Sequence, residues 1–117
     1  MPIGNSTALT IIPGADNKMF YYHGELTEAL SNKLYGTSSY SFADGIGSVI
    51  REKQSALDRS GTGRNELMLI IKPAESSRFA NTVDILDEVL INEVRRYALT
   101  ELTNEEKQIL ASLNIRL

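Results

Sequence analysis

The segment from Asn65 to Leu102 most constrains the fold, because its pattern is that of a strand, a helix and a second strand. An unbroken apolar run, Leu67 to Ile71, ends at Lys72-Pro73, as is typical of a short strand buried on both faces. Proline cannot donate to a sheet ladder, so the strand ends there. We therefore expect two parallel strands of one sheet, joined by a right-handed helical crossover.

Apolar spacing within the crossover predicts a helix with one apolar stripe. The stripe comprises Phe79, Val83, Leu86 and Leu90, at spacings of four, three and four residues. By this interpretation Leu86 is a core residue.

The closing strand is predicted over Val94 to Leu102, where apolar residues alternate with others. Tyr97 and Leu99 lie on one of its faces, and the other face carries Arg96, Ala98 and Thr100. Tyr97 and Leu99 are our candidate partner-binding residues. The competing interpretation of Leu99, a plain core leucine, is favoured by burial statistics.

The first part of the chain predicts an antiparallel hairpin. Thr7 to Ile12 is rich in β-branched residues, turn-forming residues follow Ile12, and Lys18 to His23 is again extended. A small sheet leaves unpaired edges that invite another strand. Thr7 to Pro13, with the residues Thr7, Leu9 and Ile11, is our candidate for pairing with a second copy or a partner peptide.

Three further segments have helical character. Glu25 to Gly36 predicts a short helix or an irregular covering segment, and Thr37 to Ser41 a polar linker. Ser41 and Asp44 predict a capping box at the start of a helix, one side of which carries Phe42, Ile46, Val49, Ile50, Lys53 and Leu57. Thr103 and Glu106 predict a second capping box, and the helix that follows has Ile109, Leu110 and Leu113 on one face.

These elements predict one α+β domain over residues 1–117. Its order is β-β-α-β-α-β-α, with a mixed sheet and the helices at Ile46 and Val83 packed on one face. The length of 117 residues suits a single core.

Composition excludes several classes of function. A net charge of −3 and a single adjacent basic pair, Arg95-Arg96, argue against nucleic-acid binding. Without cysteine, and with His23 as the only histidine, we expect no catalytic residues, metal site or cofactor. We interpret His23 as a strand-end surface residue, and the acidic pairs Asp87-Glu88 and Glu105-Glu106 as solvated helix faces.

The glycines of Asp58 to Asn65 suggest a phosphate loop, but this segment leaves a helix and enters a strand. A phosphate loop runs the other way, so we expect a plain surface connection. The chain is thus expected to be an interaction domain and not an enzyme.

The longest wholly apolar run has five residues, too few to cross a membrane, and the first residues lack a signal peptide. As written, such a chain is expected in the cytoplasm. The same start, Met1 to Asn5, also fits a longer protein whose front has been removed.

Several segments together resemble the ExbD/TolR family. These are Leu67 to Pro73, Phe79 with Val83-Asp84-Ile85-Leu86-Asp87, and Arg96 to Thr100. Tyr21-Tyr22-His23-Gly24, at the end of the second strand, is similar to ExbD forms of Bacteroidetes-type bacteria.

The resemblance implies a homodimeric periplasmic domain that one N-terminal membrane helix, absent from this chain, holds at the inner membrane. Its partners would be an ExbB-like membrane protein and a TonB-like protein, and the complex would couple the proton motive force to outer-membrane transport. The family's proton-titrating aspartate lies in that helix, so no residue here has that role. Two alternatives stay open: a TolR-like subunit serving envelope integrity, and a free-standing cytosolic α/β ligand-binding or adaptor domain.

Overall fold

The computed structural model describes residues 6–39 and 45–112, which form a mixed five-stranded sheet with helices on both faces. The strands are β1 (Ala8–Pro13), β2 (Met19–His23), β3 (Tyr35–Ser38), β4 (Met68–Ile71) and β5 (Arg96–Leu99). The helices are α1 (Leu26–Asn32), α2 (Ile46–Arg59), α3 (Phe79–Ile91) and α4 (Asn104–Ser112). The predicted α+β class is confirmed.

Strand order in the sheet is β3-β2-β1-β4-β5. β1 and β2 form the predicted antiparallel hairpin, and β4 and β5 are parallel, as a helical crossover requires. β1 also pairs in parallel with β4, so it lies at the centre of the sheet. Both edges of β1 are therefore paired with strands of the same chain.

One face of the sheet carries α2 and α3, as predicted. Leu9 and Ile11 of β1 and Leu69 of β4 pack there against Ile50 of α2 and Ile85 of α3. A side chain at Gly47 of α2 would meet the Glu88 carboxylate of α3, so the glycine leaves room for the Glu88 side chain beside α2.

The opposite face carries α1 and α4, a second layer in addition to the predicted one. Leu26 of α1 and Leu110 of α4 pack against Ile12, Phe20 and Tyr22 of the hairpin. Side chains on both faces of β1 are thus buried: Leu9 and Ile11 on one face, and Ile12 on the other.

The predicted capping box of α4 is present. The backbone N–H of Glu106 donates to the Thr103 hydroxyl at 3.1 Å, and the Thr103 N–H donates to the Glu106 carboxylate at 3.0 Å. The box at Ser41 and Asp44, together with Phe42 and Leu113, lies outside the described residues. After α2, Gly61 adopts a left-handed φ of 85°, and the loop that follows is the expected surface connection.

The predicted buried stripe of α3 is wrong. Ile85 and Val89 are buried instead, whereas Phe79 and Leu90 are 81% and 74% exposed. Val83 is also exposed, and Leu86 is half-buried against the core. The helix has apolar residues on two adjoining flanks. Tertiary packing buries the flank of Ile85 and Val89, whereas the spacing of apolar residues had indicated the other flank.

The polar linker predicted from Thr37 to Ser41 is also wrong at its start. Tyr35–Ser38 is strand β3, paired antiparallel with β2 at the edge of the sheet. An edge strand is held by backbone hydrogen bonds, and here its side chains alternate between exposed and half-buried. Such a strand has no apolar alternation for a sequence pattern to reveal.

Three polar residues predicted at the surface are buried or partly buried. His23 is only 4% exposed and lies on the sheet face that α2 and α3 cover, with Lys53 of α2 close enough to affect its pKa. Glu106 accepts hydrogen bonds from Lys72 Nζ at 2.7 Å and from the Tyr22 hydroxyl at 3.1 Å. Glu88 accepts from the Asn92 side-chain amide at 3.1 Å. The solvated-face interpretation of the two acidic pairs is therefore wrong for Glu88 and Glu106, one residue of each pair.

Candidate partner-binding surface

Among residues 6–39 and 45–112, the edge strand β5 has a neighbour on one side only, β4. The backbone N–H of Thr100 donates to the Ile71 carbonyl of β4 at 2.9 Å. Backbone groups of successive strand residues point to alternate sides, so the N–H and C=O groups of Tyr97 and Leu99 point away from the sheet. They are free to pair with another strand.

The side chains of Tyr97 and Leu99 are 50% and 56% exposed. Their partners in β4 are Leu69 and Ile71, so both side chains lie on the sheet face covered by α2 and α3. The core interpretation of Leu99 is thus wrong, because more than half of its side chain is exposed on that face. The candidate contact residues are accessible.

The exposed flank of α3 continues this apolar area. Glu88, which lies 3.9 Å from Arg51 of α2, marks the side of α3 that faces α2. With 3.6 residues per turn, Phe79, Val83 and Leu90 fall on the opposite flank, which faces the β5 side. We call these three residues, with Tyr97 and Leu99, the β5–α3 surface; all five are exposed.

Charged residues frame the β5–α3 surface at both ends of β5. Arg95 precedes the strand and Glu101 follows it, and both are exposed. Within the described part of the chain neither takes part in an ion pair, whereas Arg96 is 3.0 Å from Glu66. The surface is therefore apolar at its centre, with one positive and one negative end.

The other predicted contact residues lie elsewhere. Leu9 and Ile11 are fully buried in β1, and Thr7 immediately precedes it. Because β1 pairs with β2 and with β4, Thr7 to Pro13 has no free edge. The expectation of an edge strand there is corrected: the central position of β1 follows from its parallel pairing with β4, which no local pattern discloses.

Titratable groups are buried away from this surface. Burial, and secondarily the charge of Lys53, lowers the pKa of His23 to about 4, and its Nδ1 has no hydrogen-bond partner among the residues that the structure describes. Burial also lowers the pKa of Lys53 to about 8.

In the described ranges no three His, Cys, Asp or Glu side chains are grouped closely enough to hold a metal. No helix of these ranges is long and apolar enough to cross a membrane.

Sequence reasoning named Tyr97 and Leu99 as candidates but did not name the adjoining residues of α3, because it assigned Phe79 and Leu90 to the core. A signal was present: Ile85 and Val89 supply a second apolar flank, and a helix with two such flanks cannot bury both against one sheet.

Comparisons with protein-family models, with curated proteins and with solved structures returned no match.

Proposed function

We propose that this chain is a protein-interaction domain that pairs with a second copy of itself through β5. We further propose that it serves as the ExbD-like periplasmic domain of a complex that couples the proton motive force to outer-membrane transport. The observation that carries the pairing is the open β5 edge, apolar at its centre and oppositely charged at its two ends.

An antiparallel pair of β5 strands centred on Ala98 satisfies the free backbone groups. In this register Tyr97 of one copy lies opposite Leu99 of the other, and the two exchange N–H to C=O hydrogen bonds. Ala98 then faces Ala98 of the second copy in the closer, non-hydrogen-bonded position, where a small side chain fits. Such an arrangement is two-fold symmetric, as most homodimers are.

The same register brings the charges into complementary positions. Arg95 of each copy lies opposite Glu101 of the other, so the dimer has two identical ion pairs. No other antiparallel centre within β5 pairs these two residues. Because the two-fold axis is perpendicular to the joined sheet, the α3 helices lie on the same face and run antiparallel to each other, so Phe79 of one copy lies on the side of Leu90 of the other.

The link to energy transduction comes from the resemblance. Leu67 to Pro73 and Arg96 to Thr100 carry that resemblance, and in the structure they form the parallel pair β4 and β5. In this proposal an ExbB-like motor moves the paired domains, and they pass the movement to a TonB-like protein. No chemical step is required of the domain.

A charge exchange tests the pairing. Arg95→Glu and Glu101→Arg should each raise the dimer dissociation constant roughly tenfold or more, because each replaces two attractive pairs by two repulsive ones. The double variant restores the pairs in reversed order and should dimerise like wild type. Arg59→Glu, at an exposed position on α2, is the matched control. Sedimentation equilibrium measures all four.

Transport tests the second part separately. The same variants, placed in the full-length gene, should lower proton-motive-force-dependent uptake in the single changes and restore it in the double change. If the dissociation constants change as predicted but no variant alters uptake, the transport role is overturned and the pairing stands. Equal dissociation constants for Arg95→Glu and Arg59→Glu would overturn the pairing itself.

A further inference from the structure

A crevice opens where the chain leaves β4 and β5. From β4 it turns to α3 on one face of the sheet, and from β5 it turns to α4 on the other. Adjacent parallel strands whose connections diverge in this way leave a crevice at their carboxyl ends, where ligands of open α/β sheets commonly bind. Here the crevice has a volume of about 630 Å³, within the usual range for small-molecule sites.

The walls of the crevice combine apolar and acidic groups. Pro73, Leu102 and Ala111 supply apolar surface, and Glu75 and Glu101 supply two carboxylates. One cation, Lys107, also lines the crevice, and its Nζ lies 3.9 Å from the Glu75 carboxylate, at the outer limit of an ion pair. The lining therefore carries one negative charge in excess.

Neighbouring charges leave this balance unchanged. Lys72 and Glu106 pair at 2.7 Å, and the Tyr22 hydroxyl donates to the same carboxylate. Burial raises the pKa of Glu106, but the hydrogen bonds from Lys72 and from the Thr103 backbone outweigh it and hold that pKa below its usual value. Glu106 thus stays ionised and compensated by Lys72.

We infer that this crevice binds an amphipathic cation, an ammonium or guanidinium group on an aliphatic chain. The charged group would pair with Glu101, which has no ion pair in the described part of the chain, and the aliphatic part would lie on Leu102 and Ala111. Free amines and the lysine or arginine side chains of a peptide share this chemistry.

Glu101 links the crevice to the dimer. If the proposed pairing holds, Arg95 of the second copy and a ligand in the crevice compete for the same carboxylate. Amine binding should then weaken the dimer, by thermodynamic reciprocity between the two binding events. Only this consequence depends on the proposed function; occupation of the crevice does not.

Titration of the Arg95→Ala chain, in which Glu101 has no competitor, tests the crevice. Pentylamine and N-acetyl-lysine methylamide are the probes, hexanoate is the probe of opposite charge, and amide chemical shifts of Glu75 and Leu102 report binding. Glu101→Gln should weaken amine binding roughly fivefold, as expected for loss of one partly exposed ion pair, while Glu105→Gln leaves it unchanged. Lys107→Gln should tighten it.

Tighter binding of pentylamine would identify a free amine as the ligand, and tighter binding of N-acetyl-lysine methylamide would identify a peptide side chain. Absence of saturable binding by both amines, equal binding of hexanoate, or equal effects of Glu101→Gln and Glu105→Gln would each overturn the inference. Amine binding to the Arg95→Ala chain with no effect on the wild-type dimer would support the crevice and contradict the proposed pairing.

Discussion

The two ends of the sheet differ in what they leave exposed. At the closed end, β2 with α1 and α2, even polar side chains are buried: His23 and Lys53 lie almost wholly out of solvent, whereas the edge strand β3 beyond them stays partly exposed. The open end, β5 with the outer flank of α3, exposes apolar ones such as Phe79 and Leu99. A buried polar group or an exposed apolar area is more informative than the reverse.

This contrast assigns different roles to the two ends. At the closed end, burial of polar groups makes the packing costly to disturb, so substitutions there should act on stability. At the open end little is packed within the chain, so substitutions there should act on association. The predictions below test that division, beginning with the largest expected change in unfolding free energy.

Helix α3 contains both behaviours and allows an internal comparison. Ile85→Ala should lower the free energy of unfolding by about 2 to 5 kcal/mol, because it empties a fully buried site. Leu90→Ala, on the exposed flank, should change it by less than about 0.5 kcal/mol in dilute solution. Urea unfolding of the two variants gives both values. Similar losses would show that the exposed flank is packed in the monomer.

Acid should act on the closed end through His23. Its folded-state pKa of about 4 lies below the ordinary 6.5, so the unfolded chain binds the proton more tightly. Stability contributed by the neutral imidazole is therefore complete above pH 6.5 and falls as the pH drops towards 4. The loss should be on the order of 2 to 3 kcal/mol.

His23→Gln is the matching variant, because His23 is the only histidine. Its unfolding free energy should lack the decline between pH 6.5 and 4.5. The stability contributed by the ionised Glu106, whose pKa Lys72 and the Thr103 backbone hold below the ordinary 4.5, should still be lost as the pH falls below that ordinary value. Parallel curves for the variant and wild type would contradict the burial of His23.

Much of the fold follows from local and near-local signals. The apolar run ending at Pro73 marks β4, the Thr103 and Glu106 side chains cap α4, and the length of the crossover makes β4 and β5 parallel. Each of these signals acts within a short segment or through chain geometry, so a single sequence contains it.

The misplaced features depend on contacts between distant segments. β3 has no alternation of apolar side chains and is defined by its antiparallel pairing with β2. His23 is buried on the sheet face that α2 and α3 cover, and α2 begins more than twenty residues later in the sequence. The choice between Ile85 and Leu90 as the inner residue of α3 depends on how the helix rests on the sheet. For the same reason, the sequence indicated only the β5 half of the candidate β5–α3 surface.

Cross-linking at the proposed two-fold axis tests the central claim most directly. The chain has no cysteine, so a single Ala98→Cys change introduces the only thiol. In the proposed register the two Ala98 Cα atoms lie about 4.5 Å apart, within the range that a disulfide spans. Thr37→Cys, on the opposite edge strand β3, is the control. We predict a covalent dimer under mild oxidation from Ala98→Cys and none from Thr37→Cys; equal yields, or no dimer from Ala98→Cys, would contradict pairing through β5.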